Sequence, residues 1–425
     1  MTRHPHPLGD AVVVGGGPAG LMAAERLAQA GCRVHVFDHM ASVARKLVLA
    51  GRSGLNLTHD EPLPQLLARY ADAPLVRSAV EAFPPAALRE WCASLGQPTY
   101  VGSSGRVFPT AFRATPLVRA WLTRLAELGV QLHPRHRWTG WATDADDAPD
   151  PRRPLLIGPD GKPTVVHADV TVLALGGASW PRVGADGSWV STLEAAGVRV
   201  STLRPANCGV RVAWSAPFVD RFAGSPVKNV ALQVGGASVR GDLTLTTAGM
   251  ESGPVYPLSS AVRDLCEREG SCIVHVDLHP DLSEQAVQQR LSSARVKDSL
   301  STTLRRALGL SPAAIGLLRE ATGNQLPADP AALAALVKHA PLVVHGTEPL
   351  ARAISTAGGI ALDQIDEQFM LRSMPGVFVA GEMLDWDAPT GGYLLQASFS
   401  TGVAAAAGAE RWFNARRPAG HRPLD

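Results

Sequence analysis

Gly15, Gly17 and Gly20 stand in the spacing G-x-G-x-x-G, directly after the apolar run Ala11-Val12-Val13-Val14. Asp38 closes a second apolar run, Val34-His35-Val36-Phe37. Residues of these types at this spacing hold a dinucleotide. Gly15 allows a tight turn out of a strand, Gly17 lets backbone approach a pyrophosphate, and Gly20 lets the following helix pack on the strand. The helix N-terminus offers free N–H groups and the positive end of a dipole to phosphate. Asp38 can accept hydrogen bonds from a ribose whose 2′-hydroxyl is free. Pro18 and Ala19 complete the loop and belong to the same binding set.

The elements that must position this set follow from local pattern. Residues 12–14 form a β-branched strand, residues 21–30 a helix closed by Gly31, and residues 33–37 the next strand. Residues 75–95 read as amphipathic helix broken by Pro84-Pro85, and Thr115-Pro116 opens a helix that runs to Glu127. Residues 130–167 read as short strands with a polar tip near 144–154. Residues 169–175 form a buried strand ending in Gly176-Gly177. Strand pattern dominates 198–277, where Gly235-Gly236 reads as a hairpin turn; helical pattern dominates 282–338. One more buried strand, 376–382, leads into a helix over 392–412.

These elements predict an α/β fold: a Rossmann-like nucleotide domain interrupted by a mixed β unit and a small helical unit. The expected boundaries are 1–197 and 343–425 for the nucleotide domain, 198–280 for the β unit and 281–342 for the helical unit. A chain of 425 residues calls for more than one core, and 46% hydrophobic content supplies them. The formal charge of +2, with acids and bases interspersed, argues against a nucleic-acid partner. Five cysteines without C-x-x-C suit a reduced, cytoplasmic setting. No apolar run approaches the roughly 20 residues that span a bilayer. The amino-terminal apolar stretch is short and broken by glycines, which is not the pattern of a secretory signal.

Several longer motifs resemble one family. Arg45-Lys46-Leu47 with the segment from Gly51 to Thr58 is similar to the R-K-x-x-x-S-G-G-G-R-C-N-x-T of the YhiN/BaiN-like flavoproteins, an aminoacetone-oxidase-like family. Gly105-Arg106-Val107-Phe108-Pro109 resembles its G-R-x-F-P, and Leu175-Gly176-Gly177-Ala178-Ser179-Trp180-Pro181 its T-G-G-x-S-Y-P. Gly381-Glu382-Met383-Leu384-Asp385 and Thr390-Gly391-Gly392-Tyr393-Leu394-Leu395-Gln396 resemble its G-E-x-x-D and T-G-G-Y-N-x-Q. The resemblance implies a fold of the two-dinucleotide-binding flavoprotein type and FAD bound non-covalently. It places Glu382 at the ribityl chain and the helix N-terminus at Gly391, Gly392, Tyr393, Leu394 and Leu395 against the pyrimidine edge of the flavin. Positive dipole there would stabilise negative charge on the reduced ring. Arg45 and Lys46 are expected at phosphate or flavin oxygens, and Asn56 and Thr58 at the ring edge. Ala174, Gly176, Gly177, Gly381 and Trp138 complete the expected cofactor set.

Three positions depart from the family: Leu55 replaces its Cys, Leu175 its Thr and Leu394 its Asn. Thiol chemistry at the first position is excluded, and all three are expected near the flavin ring, which marks a divergent subfamily. No second dinucleotide fingerprint is present, so NAD(P)H has no dedicated domain: the expectation is either NAD(P)H as a transient electron donor over the flavin or another molecule delivering the electrons. Asp385, Asp387, Tyr393 and Glu382 are candidates for proton transfer, with Asp385 and Tyr393 the two carried forward as catalytic. Ser179 lacks a nucleophile-elbow context. His275 and His345 read as packed or surface histidines, and no histidine spacing suits a metal.

The resulting expectation is an FAD-dependent oxidoreductase for a small organic substrate. It would oxidise an amine C–N bond or reduce an activated C=C bond with NAD(P)H. Its substrate pocket is expected beside the inserted β segment. One alternative is an FAD-holding redox sensor without turnover. A weaker one is a tRNA-modifying flavoprotein, for which the sequence shows no basic, aromatic-laced face.

Overall fold

A computed structural model describes residues 8–295 and 297–416. The chain divides into two compact units, one of residues up to Arg204 and from Ser355 onward, the other Pro205–Ile354.

The first unit is built on five parallel strands. β1 (Asp10–Val14) is followed by α1 (Pro18–Gln29) and β2 (Arg33–Asp38). The sheet order is Val377–Val379, Val170–Leu173, β1, β2, Gln131–Pro134, with Val14 opposite Leu173 on one side and Phe37 on the other. Ala11 to Val14 are 1% exposed or less, as strands covered on both faces must be. Against this sheet, α1 packs Leu21, Met22, Ala23, Ala24 and Leu27. The same helix meets the C-terminal helix Tyr393–Arg416 so closely that a Cβ on Gly402 would lie 2.4 Å from the Ala19 carbonyl oxygen.

One buried charge on α1 is absent from the sequence expectations. Glu25, 1% exposed, accepts hydrogen bonds from the indole N–H groups of Trp91 (3.1 Å) and Trp121 (2.7 Å) and pairs with Arg124 at 3.4 Å. Buried carboxylates persist when their lone pairs are filled this way.

The Pro84-Pro85 break falls where expected, separating helices Pro74–Ala82 and Pro85–Ser94. A small antiparallel sheet, ordered Thr58–His59, Arg106–Pro109, Thr99–Val101, stands on this unit.

The second unit holds a closed six-stranded barrel: Val210–Val212, Gly249–Glu251, Ala237–Leu245, Pro226–Val234, Cys272–Asp277 and Ala340–Thr347 in that order. Gly235 and Gly236 form the expected two-residue hairpin turn, at φ of +56° and +82°. The helices do not form a unit of their own, which corrects the 280/281 boundary. Val287, Leu291, Leu304, Leu317, Leu333 and Val337 share one apolar core with barrel residues such as Leu232 and Val274. Strand Ala340–Thr347 pairs with Cys272–Asp277, so the expected return to the nucleotide domain at 343 comes later, at 355. Side chains of Ser283, Ser299, Ser311 and Asp329 cap the four helices between them. Among the described residues no helix is long and apolar enough to cross a membrane.

Candidate cofactor and active site

The glycines of the first turn divide by geometry. Gly15 sits at φ +103°, and a Cβ there would lie 2.2 Å from the Ala174 carbonyl oxygen; one on Gly20 would lie 1.9 Å from the Gly15 oxygen. A Cβ on Gly17 meets nothing within 4 Å. Packing therefore explains Gly15 and Gly20, while the open space at Gly17 lies where a phosphate would approach the start of α1. Gly17 caps that helix and Pro18 opens it, so the first-turn N–H groups are left for a ligand.

Asp38 has a structural duty as well. Its Oδ2 accepts the Gly16 N–H at 2.8 Å and its Oδ1 the Met40 N–H at 2.7 Å. Each oxygen keeps a further acceptor site for a ribose hydroxyl. Beside it lies a cavity lined by Gly15, Asp38, His39, Trp138, Asp186 and Trp189. Trp138 is 6% exposed, and its indole N–H has no partner.

Lys46 and Glu382, both expected at the cofactor, meet each other. Lys46 Nζ lies 2.6 Å from Glu382 Oε2 and donates to Ser179 Oγ at 2.8 Å. Glu382 also accepts N–H groups from Gly177 (3.3 Å) and Thr356 (3.1 Å). A Cβ on Gly177 would strike Thr356 Oγ1 at 2.3 Å, so a glycine is needed for that approach. This cluster joins α2 (Arg45–Ala50), the Gly176-Gly177 turn and the end of strand Val377–Val379.

Asn56 lies on the chain leading into the small sheet and Thr58 opens its first strand. Leu55 and Leu57 turn into the core at 1% and 0% exposure, which turns Asn56 the other way. Asn56 Oδ1, Thr58 Oγ1 and Arg45 Nε are buried without a hydrogen-bond partner. Buried polar atoms carry a cost of about 1–3 kcal/mol when unpaired. Three such atoms, with the Trp138 N–H, fall on residues already expected at the cofactor, and the group that fits them brings its own donors and acceptors. FAD, with phosphate, ribityl and ring oxygens and nitrogens, has that chemistry. Gly392 brings the start of the C-terminal helix here: a Cβ on it would lie 2.8 Å from Thr58 Cα.

The two catalytic candidates part company. Tyr393 donates its hydroxyl to Glu61 Oε1 at 2.7 Å, stacks on His59 at 5.7 Å, and accepts the Tyr70 hydroxyl on its carbonyl at 3.0 Å. Burial and the Glu61 carboxylate push its pKa well up. It anchors the helix. Asp385 accepts the Ser201 hydroxyl on Oδ2 at 2.5 Å, while its Oδ1 accepts no hydrogen bond among the described residues.

The expectation that all three departures surround the flavin ring is corrected at Leu55, which packs in the apolar core. Leu175 and Leu394 are half-buried. Glu61 and Thr356 were missed. Glu61 sits in no recognisable motif. Thr356 lies in the buried strand Ser355–Ile360, which also holds Gly358-Gly359, and no motif in the sequence marks it. Among the described residues no group of three or more His, Cys, Asp or Glu is arranged to hold a metal.

The family of HI0933-like proteins with a Rossmann domain matches residues 9–408. The chain belongs to that family. The HI0933-like assignment agrees with the YhiN/BaiN-like motifs and makes this protein an FAD-dependent oxidoreductase. Two curated relatives align over nearly their whole length. A 3-dehydro-bile acid delta(4,6)-reductase of Clostridium scindens is 24% identical, covering 94% of this chain and 98% of that protein. A ribosomal RNA dihydrouridine synthase of Escherichia coli is 24% identical, covering 93% and 97%. Among solved structures, the open conformation of a flavocytochrome c3 fumarate reductase matches with a TM-score of 0.54 at 15% identity, over 96% of this chain and 79% of that one. A 3-ketosteroid-delta4-(5alpha)-dehydrogenase of Rhodococcus jostii RHA1 matches with 0.51 at 16% identity, over 95% and 96%. These two likenesses establish the fold.

Proposed function

We propose that this HI0933-like protein reduces a carbon–carbon double bond conjugated with a carbonyl group, with NAD(P)H as electron donor. The observation that supports the cofactor half is that buried, unpartnered atoms fall on Arg45, Asn56, Thr58 and Trp138, with Thr58 against Gly392 and Trp138 lining the cavity beside Gly15. The reaction half is supported by the two curated relatives. A Δ4,6-3-oxo steroid and a uracil ring differ in shape, yet each presents a C=C bond conjugated with C=O.

When bound, FAD supplies the two-electron chemistry that side chains lack. The chain's own groups hold and orient. Gly17 and the first turn of α1 would receive the pyrophosphate. Asp38 would receive a ribose, and Lys46 with Glu382 would fix the turns around the ribityl chain. The N-terminus of helix Tyr393–Arg416 would offer its dipole to the reduced flavin. Glu61 holds the Tyr393 proton, so that hydroxyl is not the donor to substrate. Asp385, with Oδ1 open, is the group assigned to deliver the proton that completes the reduction.

The test is an anaerobic visible spectrum of the FAD-loaded protein. NADPH or NADH should bleach the flavin, and a conjugated ketone or a uridine oligonucleotide should restore it. Bleaching by small amines and by neither nucleotide would replace this reading with amine oxidation. The carrier of the double bond is open to a second reading, a base within RNA, and one surface described next favours it.

A further inference from the structure

The small sheet beside Asn56 has an outward face that nothing in the cofactor site uses. Val107 points inward at 0% exposure, so Arg106 and Phe108 point out. Tyr100 lies opposite Phe108 and His59 opposite Arg106. The Tyr100 and Phe108 rings stack at 5.9 Å, and Phe108 meets Phe112 at 5.3 Å. Tyr100 and Phe112 are each 42% exposed. Phe112, at φ +62°, lays its ring over Gly54, where a Cβ would lie 2.4 Å from ring Cζ. Its carbonyl accepts the Leu55 N–H at 2.8 Å. A run of three rings thus leads from solvent to the loop that carries Asn56.

The sequence stretches that carry this run are charged with one sign. Residues 39–59 contain Arg45, Lys46 and Arg52 and no acid; residues 91–126 contain four arginines and no acid. Arg52, Arg106 and Arg113 are exposed, and their side chains make no ion pair or hydrogen bond among the described residues. Of the acids that border these stretches, Asp60 is already paired with Arg89 at 3.1 Å, and Glu61 beside it with Arg69 at 3.2 Å. Exposed rings interleaved with unpaired arginines are what a flexible polyanion carrying flat bases requires. A small neutral substrate gives three separate cations nothing to meet.

We propose that this face docks single-stranded RNA, with bases stacked on Tyr100, Phe108 and Phe112 and phosphates on Arg52, Arg106 and Arg113. The delivery of a base from this face to the Asn56 side of the site rests on the reductase reading; the binding itself does not.

The experiment is fluorescence anisotropy of a labelled single-stranded oligouridylate of roughly ten nucleotides, titrated with the FAD-loaded protein between about 50 and 200 mM salt. Three phosphate contacts at about 0.7 each give a log–log salt slope near −2. Arg106→Ser should flatten that slope by about 0.7. Tyr100→Ala should weaken binding about tenfold and Phe112→Ala likewise. An equal length of duplex RNA should bind more weakly. FAD absorbance of each variant reports its folding, and the arginine variants alter no packed side chain. Absence of binding, salt-insensitive binding, or unchanged binding by the triple variant R52S/R106S/R113S overturns the proposal. Competition by a neutral conjugated ketone, lost in Phe112→Ala, would reassign the rings to a small substrate. Because anisotropy needs no turnover, a failure of nucleotide-driven bleaching in the same preparation counts against the reductase reading alone.

Discussion

The Tyr393 hydroxyl reaches Glu61 Oε1 at 2.7 Å across 332 residues of chain, and this bond decides what Tyr393 can do. Its proton is committed to a carboxylate that Arg69 also holds, at 3.2 Å. The pair pins the first residue of the C-terminal helix to the segment that follows strand Thr58–His59. Tyr393→Phe should therefore keep most turnover, whereas Asp385→Asn should lose about 10²-fold or more in kcat. Steady-state rates with whichever acceptor restores the flavin spectrum check this; equal losses in both variants would remove the assignment of Asp385.

Glu61 also gives a pH signature. Burial alone would raise its pKa, but hydrogen bonds from Tyr393 and Arg69 outweigh burial and hold it below its ordinary 4.5. A carboxylate with a depressed folded pKa adds stability that is present above the unfolded value and lost as pH falls through the folded one. Thermal melts of the wild type should weaken below about pH 4.5. Glu61→Gln should be destabilised by about 1–3 kcal/mol at neutral pH and should lack that part of the acid limb. Parallel acid limbs in the two proteins would contradict the ion pair.

Gly17 and Gly20 should respond differently to the same methyl group. At Gly20 it strikes backbone 1.9 Å away, so Gly20→Ala should lower the melting temperature even without cofactor. At Gly17 it meets open space, so Gly17→Ala should melt like the wild type when FAD-free and yet bind FAD about tenfold or more weakly. Calorimetry of both apoproteins, with FAD titration, separates packing from cofactor approach.

Removing one partner of the Lys46–Glu382 pair leaves the other in a poorly solvated place. Glu382 is only 9% exposed, so Lys46→Met strands its carboxylate and should cost on the order of 2–3 kcal/mol. Lys46→Met with Glu382→Gln should recover part of that stability without recovering FAD affinity. Full recovery of affinity in the double variant would show that neither side chain faces the cofactor.

In the second unit Lys338 lies 2.6 Å from Asp277 and donates to the carbonyls of His279 and Leu282. Lys338→Met should destabilise the barrel by about 3 kcal/mol while leaving FAD content unchanged. Limited proteolysis, with cleavage appearing first within 205–354, checks it.

Spacing over short distances made the first strand–helix–strand turn legible. Gly15, Gly17, Gly20 and Asp38 lie within one strand–helix–strand unit, and their roles depend on backbone conformation that local sequence dictates. The Pro84-Pro85 break and the Gly235-Gly236 hairpin were legible for the same reason. What local pattern cannot carry is partnership across the chain. Lys46 meets Glu382 over 336 residues, and Ser283-capped helices share their core with barrel strands because apolar faces are not labelled with their destinations. The arginines and rings of the small sheet look scattered in a chain of net charge +2. Antiparallel pairing of Tyr100 with Phe108, and the seating of Phe112 on Gly54, turn them into one surface. Sequence determined the first strand–helix turn and the family; tertiary packing decided which buried groups are satisfied, which are left without a partner, and which rings meet at the surface.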